Sequence, residues 1–209
     1  MSENQNHAFI VDDDEEVRSS LEWLLSSRKI LSRAWSSGES FLKEFDPAVP
    51  GCVILDIRLK NMSGLEVFDA MLAKGIIHPV IFLSGHADIP MAVSALHKGA
   101  YDFLEKPFQD NHFVDRILQA FRDAEINKKN RERSEETFRK LASLSIRESQ
   151  VLGEIAKGKL NKEIAFDLGI TMRTVEAHRA NLYRKLGVSN QTDLFRLVFA
   201  ESTLSDKTQ

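Results

Sequence analysis

Two short apolar runs of this sequence end in carboxylates. Ala8–Val11 is followed by the acidic cluster Asp12–Asp14, and Cys52–Leu55 is followed by Asp56. In an open parallel sheet, ligands bind outside the carboxyl ends of the strands. Because carboxylates repel each other unless a positive charge lies between them, the pattern predicts one pocket around a cation with oxygen ligands, such as Mg²⁺. The alternative is a solvated turn at a helix N-terminus, which DDDEE taken alone favours.

Length and composition restrict the class of protein. The chain has 209 residues and is 43% apolar, which suggests one or two globular domains. No apolar run approaches the length of a membrane span, and the N-terminus lacks the basic and apolar parts of a signal peptide. A single cysteine, Cys52, excludes an intramolecular disulfide and fits a reducing compartment. We therefore expect a cytoplasmic protein without a membrane partner.

Charge is distributed unevenly along the chain. Residues 1–127 contain 12 Lys and Arg against 20 Asp and Glu, whereas residues 140–209 contain 11 against 8. An acidic first part and a mildly basic second part predict two domains with different partners. The basic excess is too small to indicate nucleic acid by itself.

The first 127 residues alternate between strand and helix patterns. Apolar strands are predicted at about 7–11, 30–35, 51–56, 78–83 and 101–104. Ser63 and Glu66 predict a capping box that opens a helix at about 64–74. Parallel strands need crossover helices on both faces, so the pattern predicts a doubly wound α/β domain with a five-stranded parallel sheet.

The second part of the chain shows helix patterns only. A helix from about Phe108 continues into the charged stretch 122–140, which predicts an exposed helical linker. Ser145 and Glu148 predict a further capping box. Four short helices are predicted at about 146–157, 161–168, 172–186 and 190–200, the last three with N-caps at Asn161, Thr171 and Asn190. A helix, a tight Gly-Ile-Thr turn and a longer helix predict a helix-turn-helix in a small all-α domain.

Two further strand ends carry polar side chains suited to a site. Ser84 follows the predicted fourth strand, and Lys106 follows the fifth. Carboxylates for Mg²⁺, a small hydroxyl and one lysine together suit a tetrahedral anion beside a metal. Lysine supplies a compact charge for a phosphoryl oxygen.

The segments FIVDDD, VILDIRLKNMSG, IFLSGHADIPMAV and KGAYDFLEKPF resemble the receiver domain of two-component response regulators, a flavodoxin-like fold, over about residues 6–125. The resemblance implies that a histidine kinase phosphorylates Asp56. It implies that Mg²⁺ is held by Asp12, Asp13, Asp56 and the backbone carbonyl of Arg58. It also implies that Ser84 and Phe103 form the switch, that Lys106 contacts phosphate, and that the Lys106–Pro107 bond is cis.

Phosphorylation of such a site predicts a change of surface. The acyl phosphate adds about two negative charges, toward which Ser84 can move. The space vacated allows Phe103 to turn and to alter the surface of helix 88–98, strand 101–104 and helix 108–125. We expect phosphorylation either to favour dimerisation through helix 88–98 and its neighbours or to free the second domain from the receiver. Plain core packing of Phe103 is the alternative. Lys60 departs from the family, which usually has proline there.

The segment LSIRESQVLGEIAKGKLNKEIAFDLGITMRTVEAHRANLYRKLGV resembles the LuxR-type helix-turn-helix, over about residues 142–200. A receiver followed by this module is the architecture of the NarL/FixJ class of response regulators. The runs SGHADIPMAV and LEKPF resemble its FixJ-like branch.

The helix from Met172 to Leu186 is predicted to enter the major groove with its N-terminal half. Glu176 can accept from cytosine and Arg179 can donate to guanine or phosphate. The resemblance places base-reading positions at Glu176, Ala177 and Ala180. It places DNA-backbone contacts at Lys162, Arg173, Thr174, Arg184 and Lys185. The alternative is a protein-interaction module with a solvated charged face.

The sequence thus predicts a receiver domain (1–125), a helical linker (126–141) and a DNA-binding domain (142–209). We expect a transcription factor, not an enzyme, whose partners are a histidine kinase, double-stranded promoter DNA, a second copy when phosphorylated, and RNA polymerase. One rival is a metal-dependent aspartyl phosphatase, which normally has a second Asp two residues after the nucleophile; Arg58 stands there. The other rival is a phosphate-independent adaptor that binds only protein.

Overall fold

A computed structural model describes residues 6–85 and 89–199. The chain divides into two compact units, residues 1–127 and 128–209, which we describe separately. Residues 86–88 of the SGHADIPMAV run and residues 200–209 of the predicted DNA-binding domain lie outside the described residues.

The first unit alternates strands and helices, as predicted. Its elements in chain order are β1 (His7–Val11), α1 (Glu15–Ser27), β2 (Leu31–Trp35), α2 (Gly38–Glu44), β3 (Gly51–Asp56), α3 (Gly64–Ala73), β4 (Val80–Ser84), α4 (Ile89–His97), β5 (Asp102–Glu105) and the start of α5 (Asp110–Ala142). All strand pairs are parallel, in the order β2-β1-β3-β4-β5 of flavodoxin-like sheets. The doubly wound α/β prediction is confirmed. β4 begins two residues later than predicted because Pro79 has no N–H to donate to the ladder.

The sheet is apolar on both faces because helices cover both. All six residues of the central strand β3 are buried. In β1, Ala8 and Ile10 pack on the side of α1 and α5, whereas Phe9 and Val11 pack on the side of α2, α3 and α4. Continuous apolar strands of this kind are what a parallel sheet requires.

Local side-chain hydrogen bonds fix where the helices begin. Asp14 caps α1 by accepting from the backbone N–H groups of Glu16 and Val17. The predicted capping box of Ser63 and Glu66 opens α3. Each cap satisfies backbone donors that the helix itself leaves unpaired.

Helix α5 is continuous over 33 residues, so the predicted helical nature of 126–141 is confirmed. Its later part carries few buried positions; Thr137 is one, and its hydroxyl donates to the Arg133 carbonyl at 3.0 Å. Phe138 is 71% exposed. Across residues 6–85 and 89–199, no helix combines the length and the apolar character that crossing a membrane requires.

The second unit continues with α6 (Ile146–Ala156), α7 (Asn161–Leu168), α8 (Met172–Leu186) and α9 (Gln191–Phe199). The side chains Val175, Leu182 and Leu186 of α8 are buried in one core with residues of α6, α7 and α9. This arrangement confirms the small helical domain.

Three of the predicted caps in the second unit are present. Ser145 and Glu148 form the capping box of α6, and Thr171 caps α8. Asn190 Oδ1 accepts from the Asp193 N–H at 2.9 Å, just before α9.

The prediction that Asn161 is an N-cap is wrong. Helix α7 begins at Asn161, and Leu160 is the N-cap, with no side-chain oxygen to offer. Instead Glu163 Oε2 accepts from the Leu160 N–H at 2.7 Å. The Asn161 side chain accepts from Arg179, 18 residues later, which local sequence does not reveal.

Candidate functional site: an acidic strand-end pocket and a helix-turn-helix surface

The acidic residues lie where the order of the sheet reverses. The register pairs Val11 with Leu55, so the residues that follow them, Asp12 and Asp56, stand side by side at the ends of β1 and β3. In doubly wound sheets this switch point is where the crossover helices leave on opposite faces and open a crevice. Asp12 and Asp56 are both nearly buried, with 2% and 8% of their surface exposed.

A lysine ammonium separates the two buried carboxylates. Lys106 Nζ lies 2.7 Å from Asp12 Oδ2 and 2.7 Å from Asp56 Oδ1. Lys106 follows β5, and its bond to Pro107 is cis, as predicted. The sequence predicted a positive charge between the carboxylates, with a divalent cation as the candidate; in this structure the Lys106 ammonium lies between Asp12 and Asp56.

Burial and pairing act in opposite directions on these groups. Burial raises the pKa of Asp56 above its ordinary value, although the hydrogen bond and charge of Lys106 act to lower it. Burial acts to lower the pKa of Lys106, but the hydrogen bonds that its ammonium donates to Asp12 and Asp56 outweigh burial and raise that pKa. Lys106 is therefore firmly held as an ammonium.

The backbone of the loop after β3 positions the Asp56 carboxylate. The Arg58 N–H donates to Asp56 Oδ2 at 2.6 Å, and the Gly64 N–H donates to the Ile57 carbonyl at 2.9 Å. A Cβ atom built on Gly64 would lie 2.1 Å from the Asp56 carbonyl oxygen. Gly64 is therefore the residue type that this close approach requires.

Asp13 has a different cationic partner. Lys60 Nζ lies 3.2 Å from Asp13 Oδ2. Arg18 Nη1 donates to the Asp12 backbone carbonyl at 2.8 Å. Neither contact was predicted, since Lys60 lies in the loop after β3 and Arg18 lies in α1.

The carboxylate oxygens of Asp12, Asp13 and Asp56 are of the kind that binds Mg²⁺, but in this structure their partners are Lys106 and Lys60. Among the side chains that the structure describes, no three His, Cys, Asp or Glu form a group that could hold a metal ion. Asp12 and Asp56 nevertheless converge on one positive atom, Lys106 Nζ, and Asp13 adjoins them. Carboxylate oxygens are the ligands that hard divalent cations prefer. The residue types therefore suit a divalent cation, whereas the side-chain positions in this structure serve the two lysines.

The two predicted switch residues occupy the neighbouring strands. Ser84 ends β4 and is 4% exposed, and its register partner in β5 is Glu105. Phe103 lies two residues earlier in β5, is half-buried and packs against the core on the α2–α4 side. Ser84 is thus at the pocket edge, and Phe103 lies further from it.

In the second unit, most predicted DNA-contact residues are accessible. Thr174 is half-buried, and its hydroxyl lies 2.8 Å from that of Thr171. The exposed residues are Lys162, Arg173, Glu176, Ala177, Ala180, Arg184 and Lys185. They lie along α8 and the start of α7, and one of them, Arg184, donates to Asn181 Oδ1 at 2.9 Å.

Arg179 differs from its neighbours because it is half-buried and bound within the protein. Its guanidinium donates to Asn161 Oδ1 and to the Tyr183 hydroxyl, both at 2.8 Å, and lies 5.6 Å from the Tyr183 ring centroid. It also lies 3.5 Å from Gln191 Oε1. The contacts join α7, α8 and α9 through one side chain.

Lys185 is likewise bound within the protein. Its ammonium donates to Glu148 Oε2 at 2.7 Å and to the Ser143 carbonyl at 3.1 Å. The Lys185 hydrogen bond, with the Ser145 N–H, lowers the pKa of Glu148 to about 2. Glu148 therefore stays ionised, and Lys185 joins α8 to the start of α6.

Comparison with known proteins matches both units. The model of the response regulator receiver domain matches residues 8–118, more than half of the chain, and that of the bacterial regulatory proteins of the luxR family matches residues 142–198. The chain is a two-component response regulator. It controls transcription through a LuxR-type DNA-binding domain, and its family is one of regulators, not of enzymes in the usual sense.

Relatives resemble the regulator over nearly its whole length. The C4-dicarboxylate transport transcriptional regulatory protein DctR of Rhodobacter capsulatus is 47% identical, covering 90% of this chain and 96% of that protein. FixJ of Bradyrhizobium diazoefficiens is 35% identical, covering 97% and 98%. The response regulator protein TodT of Pseudomonas putida is 40% identical, covering 94% and 87%.

Solved structures agree with this assignment. The response regulator StyR aligns with a TM-score of 0.84 and 36% identity, covering 93% of this chain and 98% of that one. Full-length FixJ from B. japonicum aligns with a TM-score of 0.59 and 34% identity, covering 95% and 98%. The family assignment favours transcription control over the phosphatase and adaptor alternatives.

Proposed function

We propose that the regulator accepts a phosphoryl group on Asp56 from a histidine kinase and responds by pairing with a second copy and binding promoter DNA. One observation carries this proposal: the ammonium of Lys106 contacts Asp12 and Asp56 together at the switch point of the sheet. A compact cation held against a nucleophilic carboxylate is suited to a phosphoryl oxygen. The relatives DctR and FixJ are named as transcriptional regulatory proteins.

In the proposed transfer, an Asp56 oxygen attacks the phosphorus of the kinase phosphohistidine in line. The phosphorus–nitrogen bond breaks, and the imidazole nitrogen keeps the electron pair and takes up a proton. The Arg58 N–H at Oδ2 orients the carboxylate. The new phosphoryl oxygens attract the Lys106 ammonium, which lies beside the attacking group.

Asp12, Asp13, Asp56 and the backbone carbonyl of Arg58 are the proposed ligands of Mg²⁺. When bound there, Mg²⁺ neutralises phosphoryl oxygens and so lowers the repulsion between them and the carboxylates.

The proposed switch follows from the added charge. An acyl phosphate brings about two negative charges and new acceptor oxygens to the end of β3. The Ser84 hydroxyl, at the end of the adjacent strand, donates to one of them, and Phe103 turns into the space that Ser84 leaves. The altered surface of α4, β5 and the first turns of α5 then favours a homodimer.

Activation predicts a measurable change in assembly and DNA binding. Full-length protein treated with beryllofluoride and Mg²⁺ should sediment as a dimer and protect promoter fragments at lower concentration than untreated protein. The measurement is analytical ultracentrifugation combined with footprinting on genomic fragments selected with the treated protein. A treated sample that stays monomeric and binds DNA no better than untreated protein contradicts the proposal.

For DNA, we propose that α8 enters the major groove and that two copies read paired half-sites, because one module offers few contacts. Glu176, Ala177 and Ala180 are the proposed base-reading positions. The proposed contacts to the DNA backbone are Lys162, Arg173, Thr174, Arg184 and Lys185. Arg179 and Lys185 also hold contacts inside the protein, for which DNA would compete.

Replacing Glu176 by Ala should relax sequence preference without abolishing DNA binding. A base-edge contact contributes about 1–3 kcal/mol of discrimination, so the variant should tolerate substitutions at one base position of each half-site. Glu132→Ala removes an exposed glutamate on α5 and serves as the charge-matched control. Binding to a library of single-base operator variants measures the effect; an unchanged preference profile rules out base reading by Glu176.

We further propose the boundaries 1–125, 126–141 and 142–209 for receiver, linker and DNA-binding domain, with RNA polymerase as a further partner. Because a transcription regulator acts on the bacterial chromosome, we place the regulator in the cytoplasm.

A further inference from the structure

The contact between Lys60 and Asp13 joins two loops at the rim of the acidic pocket. The Lys60 side chain is 77% exposed and that of Asp13 is 21% exposed. A tight turn fixes the backbone at this point: the Met62 N–H donates to the Lys60 carbonyl at 2.8 Å, and Asn61 has a φ of 67°. Lys60 is thus held beside the pocket by the backbone and not only by its ion pair.

The three carboxylates of the pocket are divided between two lysines. Lys106 contacts Asp12 and Asp56, and Lys60 contacts Asp13. A divalent cation that binds all three carboxylates therefore competes with Lys60 for Asp13 and has a second positive charge nearby. That repulsion acts only on the cation-bound state, whereas the ion pair stabilises only the cation-free state.

We propose that Lys60 weakens the affinity of this pocket for divalent cations by competing for Asp13. The inference rests on the proposed role of Asp12, Asp13 and Asp56 as Mg²⁺ ligands. The effect is modest because Lys60 is exposed and water screens its charge. Lys60 is a positioning residue in this scheme, since it acts on the cation chiefly through Asp13 and only secondarily through its own charge.

Mg²⁺ titration of the full-length protein by calorimetry at physiological ionic strength tests this directly. Lys60→Met should bind Mg²⁺ about three- to tenfold more tightly than the unaltered protein. The variant lacks the exposed ion pair with Asp13, which contributes little energy, and also lacks the repulsion between Lys60 and the bound cation. Lys60→Arg keeps the charge and should bind as the unaltered protein does.

Lys98→Met is the matched control. It removes another exposed lysine that contacts an aspartate, Asp69, at 2.8 Å. Lys98 precedes β5 and therefore lies at the N-terminal ends of the strands, whereas the pocket lies at their C-terminal ends. Its Mg²⁺ affinity should equal that of the unaltered protein.

A double-mutant cycle with Asp13→Asn separates the possible outcomes. In the Asp13→Asn background, Lys60→Met should change Mg²⁺ affinity much less than it does alone. Equal affinities for Lys60→Met and the unaltered protein, or an undiminished effect without Asp13, overturn the inference but leave the metal site intact. Absence of saturable Mg²⁺ binding in both the unaltered protein and Lys60→Met overturns the proposed metal site itself.

Discussion

Asp56→Asn should take up no phosphoryl group, either from a histidine kinase or from a small phosphoryl donor. The amide carries no negative charge and is a poor nucleophile, so the bond to phosphorus cannot form at position 56. The replacement has nearly the same volume, and its oxygen can still accept from Lys106. Intact-mass measurement after incubation with the donor and Mg²⁺ should show no mass increase, against one phosphoryl group on the unaltered protein.

Asp69→Asn is the control for this experiment, because Asp69 is an exposed aspartate of α3 that contacts Lys98 outside the pocket. It should be labelled as the unaltered protein is. Thermal unfolding of both variants checks that each is folded. Phosphoryl label recovered from Asp56→Asn at the unaltered level, on any residue, disproves the assignment of Asp56.

Gly64→Ala should destabilise the first unit and disturb the loop that carries Asp56. The added Cβ would lie 2.1 Å from the Asp56 backbone oxygen, and backbone cannot move aside as a flexible side chain can. Overpacking of this kind costs roughly 1–3 kcal/mol or more, which exceeds the gain of up to about 1 kcal/mol from replacing Gly in a helix. Urea unfolding followed by tryptophan fluorescence measures it, since both tryptophans, Trp23 and Trp35, lie in this unit.

Gly85→Ala is the control in the same unit, because a Cβ at Gly85 meets no atom within 4 Å. Its free energy of unfolding should stay within about 0.5 kcal/mol of the unaltered value. Gly64→Ala should also be phosphorylated more slowly, because the strand end that holds Asp56 has to shift. Unfolding curves that coincide for Gly64→Ala and the unaltered protein contradict the close approach.

Much of the fold could be predicted from local sequence. Apolar runs predicted the five strands to within two residues. The central strands β3 and β4 are buried at every position, so they appear in the sequence as continuous apolar runs. Ser63, Ser145 and Thr171 marked helix starts because a cap acts over three residues. The prediction that Asn161 is a cap was wrong because its side chain accepts from Arg179 on another helix, a long-range contact that local sequence does not reveal.

Sequence order alone determined that carboxylates, a hydroxyl and a lysine stand at the strand ends of one sheet edge, because parallel strands all end on the same side. Only the tertiary structure decided how the charges are paired. Lys106 bridges Asp12, 94 residues away, and Asp56, 50 residues away, whereas Lys60 contacts Asp13. Ion pairs depend on distances of a few ångströms between side chains, and those distances are set by the packing of whole elements, which no local pattern of residues specifies.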